Sequence, residues 1–222
     1  LKSNRDCVLT ASLTGADNSV YYGTQQISVT ASGTYNRYDV KLVASDTDFD
    51  GNFRLSCDRK ADIVFGFTSL LPERTFCGHG LREDLALMLK NTHSAFIRYP
   101  GGCVVEGINE ENTLAFHKTI GPVHERPSCQ LMWHYRTTNG FGFHEYLQLC
   151  EDLGMDAMYV VNCGISCQAR HGHGFSEEKT KEYLQEALNA LEYALGAEDS
   201  TYGKMRSDAG HPAPFPPKYI EI

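Results

Sequence analysis

Apolar and polar residues alternate through much of the first seventy positions. Ile27, Val29 and Ala31 share one face of 26–32. Tyr38, Val40, Leu42 and Ala44 repeat the pattern, followed by Phe53, Leu55 and Cys57 and then Ile63, Phe65 and Phe67. A period of two puts residues i and i+2 on one side of a strand. The runs recur roughly every ten residues with turn residues between them, and no helical period interrupts them. Residues 1–70 therefore read as part of an antiparallel β-sandwich.

Near Leu71-Pro72 the period lengthens. Leu81, Leu85, Met88 and Leu89 have helical spacing and predict a helix over about 80–92. Ala95-Phe96-Ile97 is a short apolar strand, closed by Arg98-Tyr-Pro100 because proline fixes φ and lacks a donor. A polar, aromatic-studded loop fills 108–138. Phe143, Tyr146, Leu147, Cys150 and Leu153 mark a second helix ending at Gly154. Residues 157–161 are a continuous apolar strand. Ser176 suits the cap of a third helix, with Tyr183, Leu184, Ala187, Leu188, Leu191 and Leu195 on its apolar side and Gly196 after it. A shorter helix over 200–209 and a strand over 218–222 follow. Helices alternating with strands are the order of βα units in a parallel sheet. A closed barrel has eight strands and typically about 250 residues, so 71–222 can supply only half of one; a small open sheet is the alternative.

Composition narrows the function classes. Hydrophobic content of 41% and charged content of 22% are ordinary for a globular protein. The formal net charge is −8, without a Lys/Arg cluster, which argues against nucleic acid or an anionic membrane surface as partner. No run approaches the roughly 18 apolar residues of a membrane span. The eight cysteines lack two close pairs, so spacing indicates buried free thiols rather than a zinc site; Cys163 and Cys167 are the nearest approach.

Several stretches could carry chemistry. Arg98 stands where the strand would otherwise want Ile or Val, so its charge needs a partner or an open cleft. Gly101 and Gly102 allow a tight loop to wrap back over it, with Cys103 and Glu106 following. A structural ion pair and a rim site are both compatible with that pattern. Trp133, the one tryptophan, is either a loop anchor or a flat platform for a sugar face. Asp46, Asp48 and Asp50 match the first half of a calcium loop, but position twelve is Cys57 rather than Glu, so a hairpin turn at Asp50-Gly51 is expected, with a weak calcium site as the lesser alternative. His171 and His173 read as an exposed glycine-rich loop. Phosphate loops and serine elbows are absent, and Glu106, Glu110, Glu111 and Glu125 do not single out an acid/base pair.

Five motifs occur in a distinctive order: Arg98-Tyr-Pro-Gly-Gly-Cys-Val-Val-Glu-Gly107, Ile120-Gly-Pro-Val-His-Glu-Arg-Pro127, Gly142-Phe-His-Glu-Tyr-Leu147, Val161-Asn-Cys-Gly164, and Gly210-His-Pro-Ala-Pro-Phe215 followed by Lys218-Tyr-Ile-Glu-Ile222. Together they strongly resemble glycoside hydrolase family 51, the α-L-arabinofuranosidases. The likeness covers nearly all of 66–222. It implies a β-sandwich of carbohydrate-binding-module type over 1–70, then the N-terminal part of a TIM barrel, a partial (β/α)8 domain over 71–222 that ends at its fourth strand. It implies retaining hydrolysis of terminal arabinofuranosyl groups from an arabinose-containing polysaccharide or oligosaccharide, without cofactor or metal, in a secreted or extracellular setting. The family's acid/base follows the fourth strand and its nucleophile a later one, so the resemblance assigns no catalytic residue within this chain. It places Arg98 and Cys103 in the arabinose subsite, with some members carrying Asn at the latter position, and Trp133 on the leaving-group side. Glu106 lies in the motif and is grouped with these substrate-binding residues. A fragment of an enzyme and a non-catalytic carbohydrate-binding protein are the two readings carried forward.

Overall fold

The computed structural model describes residues 1–170 and 172–222. The chain folds as two compact units, Leu1–Leu70 and Leu71–Ile222.

The first unit is all β. Its strands are β1 (Lys2–Ser3), β2 (Cys7–Thr14), β3 (Tyr21–Val29), β4 (Asn52–Cys57) and β5 (Ile63–Val64). β2 is central, antiparallel to both β3 and β4, while β1 pairs with β5. Cys7 and Leu9 of β2 and Val29 of β3 form the small core, with Ile27, Tyr38 and Ile63 packed on it. The predicted set lacks β2, although Cys7, Leu9 and Ala11 alternate as regularly as the strands it contains. The predicted strand at 38–44 does not form. Its neighbourhood is tied to β3 by Ser45 N donating to Tyr22 O (2.8 Å), without a ladder. β3 pairs only with β2, so its outer edge is open, and the segment runs beside that edge with this bond but without a regular register. Hence Asp50-Gly51 belongs to a turn that leads into β4 rather than to a hairpin. Asp48 is satisfied locally by Tyr22 Oη (2.8 Å) and Asp50 N (2.9 Å). Among the described residues, Asp46, Asp48 and Asp50 do not converge as a cation-holding group.

The second unit is α/β. Helix α1 (Glu83–Lys90) precedes β6 (Phe96–Tyr99), and a short α2 (Gly102–Glu106) follows it. The predicted loop over 108–138 is more structured than its polarity suggests. It holds three 3-10 turns and a small antiparallel hairpin, β7 (Cys129–Gln130) with β8 (Arg136–Thr137). Then come α3 (Phe143–Leu153), β9 (Asp156–Val160), α4 (Glu177–Leu195), α5 (Thr201–Asp208) and β10 (Tyr219–Glu221). The sheet runs β10-β9-β6, parallel throughout. Its helix-side face packs on an aromatic core of Phe116, Phe143, Tyr146, Tyr159, Tyr193 and Phe215. Tyr146 Oη donates to Ile97 O (2.9 Å), so burial leaves the hydroxyl paired. Gly154, at φ 70°, stops α3 in the left-handed region that favours glycine, and Ser176 Oγ accepts from Lys179 N (3.1 Å) to start α4.

The helices form where the spacing places them, but two present a different face. In α1 the buried residue is Ala86, and Leu85 and Met88 are exposed. In α4 the buried residues are Tyr183, Ala190, Tyr193 and Ala194, whereas Leu184, Leu188 and Leu195 face solvent. The leucine stripe is one residue, about 100°, around the helix from the buried one. The alanines allow close approach, and the two tyrosines bring hydroxyls that find partners: Tyr183 meets Thr113 Oγ1 (2.9 Å) and Tyr193 meets His144 Nδ1 (2.8 Å). Among the described residues, no helix is long and apolar enough to cross a membrane.

Candidate sugar-binding rim

Ile97 and Tyr99 pack against the aromatic core, which leaves Phe96 and Arg98 for the other face of β6. Arg98 stands level with Met158 of β9, and Glu221 of β10 stands level with Val160. Met158 and Val160 share a face, so Arg98 and Glu221 flank β9 on one side of the sheet near its carboxyl ends. The guanidinium reaches across. Its Nε and Nη2 donate to the two carboxylate oxygens of Glu221 in a bidentate pair. Both side chains stay partly exposed, at 41% and 36%. Arg98 holds the Glu221 carboxyl below its ordinary value, and Glu221 raises the guanidinium in return.

The Pro-Gly-Gly step has a steric reason. A Cβ on Gly101 would lie 3.3 Å from Arg98 Nη1, and one on Gly102 would lie 3.6 Å from Nη2. Gly101 also has φ 108°, which strains any other residue. The loop thus lies over the guanidinium and delivers α2 beside it. Cys103 and Glu106, three residues apart on α2, share a side of the helix.

The segment after β9 closes against α2. Asn162 Nδ2 donates to Val105 O (2.7 Å) and Ile165 O (3.1 Å), while its Oδ1 accepts from Gly164 N (2.6 Å) and Ile165 N (3.1 Å). Cys167 N donates to Gly107 O (2.8 Å). These bonds set Cys167 against Cys103 and Glu106, so that the two sulfurs and a carboxylate oxygen lie within 4.8 Å of one another. Cys167 is buried; the other two are half-buried. Burial pushes the Cys167 thiol up, and the neighbouring Cys103 adds to the effect.

Trp133 sits at the tip of the β7–β8 hairpin. Leu131 and Met132 are buried there, whereas Trp133 is 42% exposed and stacks on Tyr135 with centroids 6.3 Å apart. Anchoring the hairpin thus falls to Leu131 and Met132, and the Trp133 ring is left open.

Sequence reasoning brought forward Arg98, Cys103 and Glu106: the last two meet, and Arg98 lies under the loop that leads into α2. It missed Cys167, 64 positions beyond Cys103, for which no spacing signal exists. It gave Glu221 no role; its place is beside Arg98. Three cysteines are buried (Cys7, Cys150 and Cys167), and Cys57, Cys77 and Cys163 are exposed, contrary to the expectation of mostly buried thiols. His173 is exposed and bonded to Ser166 Oγ (3.1 Å); His171 lies outside the described residues.

Comparison with known proteins bears directly on this rim. The family profile described as "Alpha-L-arabinofuranosidase 1 domain" matches residues 88–222, more than half of the chain. Alpha-L-arabinofuranosidase 2 of Arabidopsis thaliana is 34% identical over 100% of this chain and 33% of its own length. An extracellular exo-alpha-L-arabinofuranosidase of Streptomyces chartreusis is 29% identical over 87% of this chain and 25% of its own. The chain thus spans about a third of the curated relatives it matches most fully. Among solved structures, an arabinose-bound family 51 α-L-arabinofuranosidase superposes with a TM-score of 0.82 over 99% of this chain and 36% of that one; at 24% identity it supports the fold alone. The arabinose complex of the Thermotoga maritima α-L-arabinofuranosidase gives 0.53 at 26% identity over 72% of this chain and 29% of that one. An all-β unit, an α/β unit and the family profile across the rim lead to one assignment: the chain belongs to the glycoside hydrolase family 51 α-L-arabinofuranosidases, as a segment about a third of their length.

Proposed function

We propose that this chain is the arabinose-recognising part of a retaining α-L-arabinofuranosidase acting on arabinose-containing polysaccharide or oligosaccharide outside the cell. The observation that carries the reading is the convergence of Arg98, Cys103 and Glu106 at the carboxyl ends of parallel strands. That edge is where βα folds build sites. The three-stranded sheet is then part of a (β/α)8 barrel, and the first unit a carbohydrate-binding-module-like sandwich. The extracellular Streptomyces relative supports the setting.

In this reading Arg98 offers guanidinium donors to sugar hydroxyls while Glu221 fixes its plane. Cys103 and Glu106 line the furanose edge, and Trp133 carries the next sugar of the chain. Retaining hydrolysis needs two carboxyl groups about 5–5.5 Å apart, one attacking and one protonating the leaving oxygen. Glu221 is committed to Arg98 and held ionised, so it is a poor proton donor. The second reading is carbohydrate binding without cleavage.

The test uses the protein at its natural length with 4-nitrophenyl α-L-arabinofuranoside. Arg98→Ala should lower kcat/KM by roughly tenfold to a hundredfold, the effect of losing a charged hydrogen bond, with little change in thermal unfolding. Unchanged kinetics would remove Arg98 from the site. A natural-length protein that binds arabino-oligosaccharides without turnover would establish the second reading.

A further inference from the structure

We propose that Cys103, Glu106 and Cys167 form a binding site for a thiophilic divalent cation, zinc(II) foremost. Two sulfurs and one carboxylate oxygen are a borderline-soft donor set, suited to zinc rather than to calcium or magnesium, which take oxygen ligands. Tetrahedral zinc with Zn–S near 2.3 Å holds its sulfurs about 3.8 Å apart. The three donor atoms already lie within 4.8 Å of one another, so side-chain rotation of about an ångström closes the set.

The backbone keeps them in place. Cys103 and Glu106 come from one turn of α2, and Cys167 is fixed by its own N–H on Gly107 O and by the Asn162 clamp on Val105 O. Arg98 is the nearby cation, and its charge is countered by Glu221, so the approach of a metal ion is not opposed by a bare guanidinium. Three protein ligands, two of them only half-buried, leave a fourth position open to water. Spacing in the sequence excluded a zinc site because the ligands come from two segments 61 or more residues apart. A bound cation would occupy Cys103 and so compete with sugar. That consequence rests on the function proposed above; the binding itself does not.

The experiment titrates cobalt(II), a spectroscopic substitute for zinc, into natural-length protein kept reduced with a phosphine and stripped with a chelator. A thiolate-to-cobalt charge-transfer band with tetrahedral visible bands is expected, displaced by zinc(II). Cys167→Ser should weaken zinc binding about tenfold or more and diminish the band while hydrolysis without metal is retained. Cys163→Ser and Cys57→Ser, the latter removing the thiol beside Cys7, should leave the band unchanged. Absence of the band at saturating cobalt in the unsubstituted protein overturns the site, and that arm decides even if Cys167→Ser does not fold. A band equally strong in Cys167→Ser also overturns it. Zinc inhibition of arabinoside hydrolysis that is lost in Cys167→Ser supports the overlap with the sugar site; zinc binding without inhibition removes that overlap and leaves the cation site standing.

Discussion

His144 is half-buried on α3 and gives its Nδ1 to the hydroxyl of Tyr193. Burial holds its pKa below the ordinary 6.5, against a smaller upward pull from Glu145. The folded state therefore takes up its proton at lower pH than the unfolded state does. Stability from this group is complete above about pH 6.5 and drains away as pH falls from there towards the depressed folded value. Denaturant midpoints across that window should decline with acid, and His144→Gln should flatten the decline; an unchanged slope would mean that other groups carry it. At this scale Arg98 was half legible. A guanidinium in place of an aliphatic residue announces that a partner exists, and the two glycines announce close approach. Its partner Glu221 is 123 positions away, and Cys167 is as remote from Cys103 in kind, so only folding could name them.

Helices α1 and α4 show how element and orientation separate. Periodicity and caps fix that a helix forms, because they are local properties of the chain. Which apolar stripe is buried depends on what the neighbour can accommodate. On α4 the wall of Phe116, Phe143 and Tyr159 accepts small and aromatic residues in place of the leucines. Ala190, fully buried, should tolerate no enlargement: Ala190→Leu is expected to cost about 1–3 kcal/mol in chemical denaturation by overpacking. Leu188→Ala, on the exposed stripe, should change stability within about 0.5 kcal/mol. The opposite order would show that the leucine stripe is the packed one. The β7–β8 hairpin makes a functional prediction at the same scale. With Leu131 and Met132 holding its tip, Trp133→Ala should spare folding and impair arabino-oligosaccharides more than the small aryl glycoside, because only the former extend over the ring. Equal loss on both substrates would return Trp133 to a structural role.

At the scale of the molecule, the change of grammar near Leu71 was plain in the sequence, because the period of apolar positions changes there and the two units divide between Leu70 and Leu71. The strand order β10-β9-β6 follows from successive βα units, each new strand being laid beside the last. The chemistry follows from the same arrangement. The carboxylates at the rim are Glu106 and Glu221; the first stands among thiols and the second is tied to Arg98. We expect neither to serve as one of the pair of carboxyl groups that flank a glycosidic bond. The sheet also leaves Phe96, Tyr219 and Ile220 exposed, and the helices leave Leu85, Met88, Leu184 and Leu188 uncovered. Apolar surface and strand edges left open in this way promote association. Relatives of the chain are about three times as long. The 222-residue chain produced alone is therefore expected to self-associate in light scattering and to leave 4-nitrophenyl α-L-arabinofuranoside intact, while the natural-length protein turns it over. Turnover by the 222-residue chain at a rate comparable to the longer protein would place a working carboxylate pair within these residues, with Glu106 the first to replace by Gln.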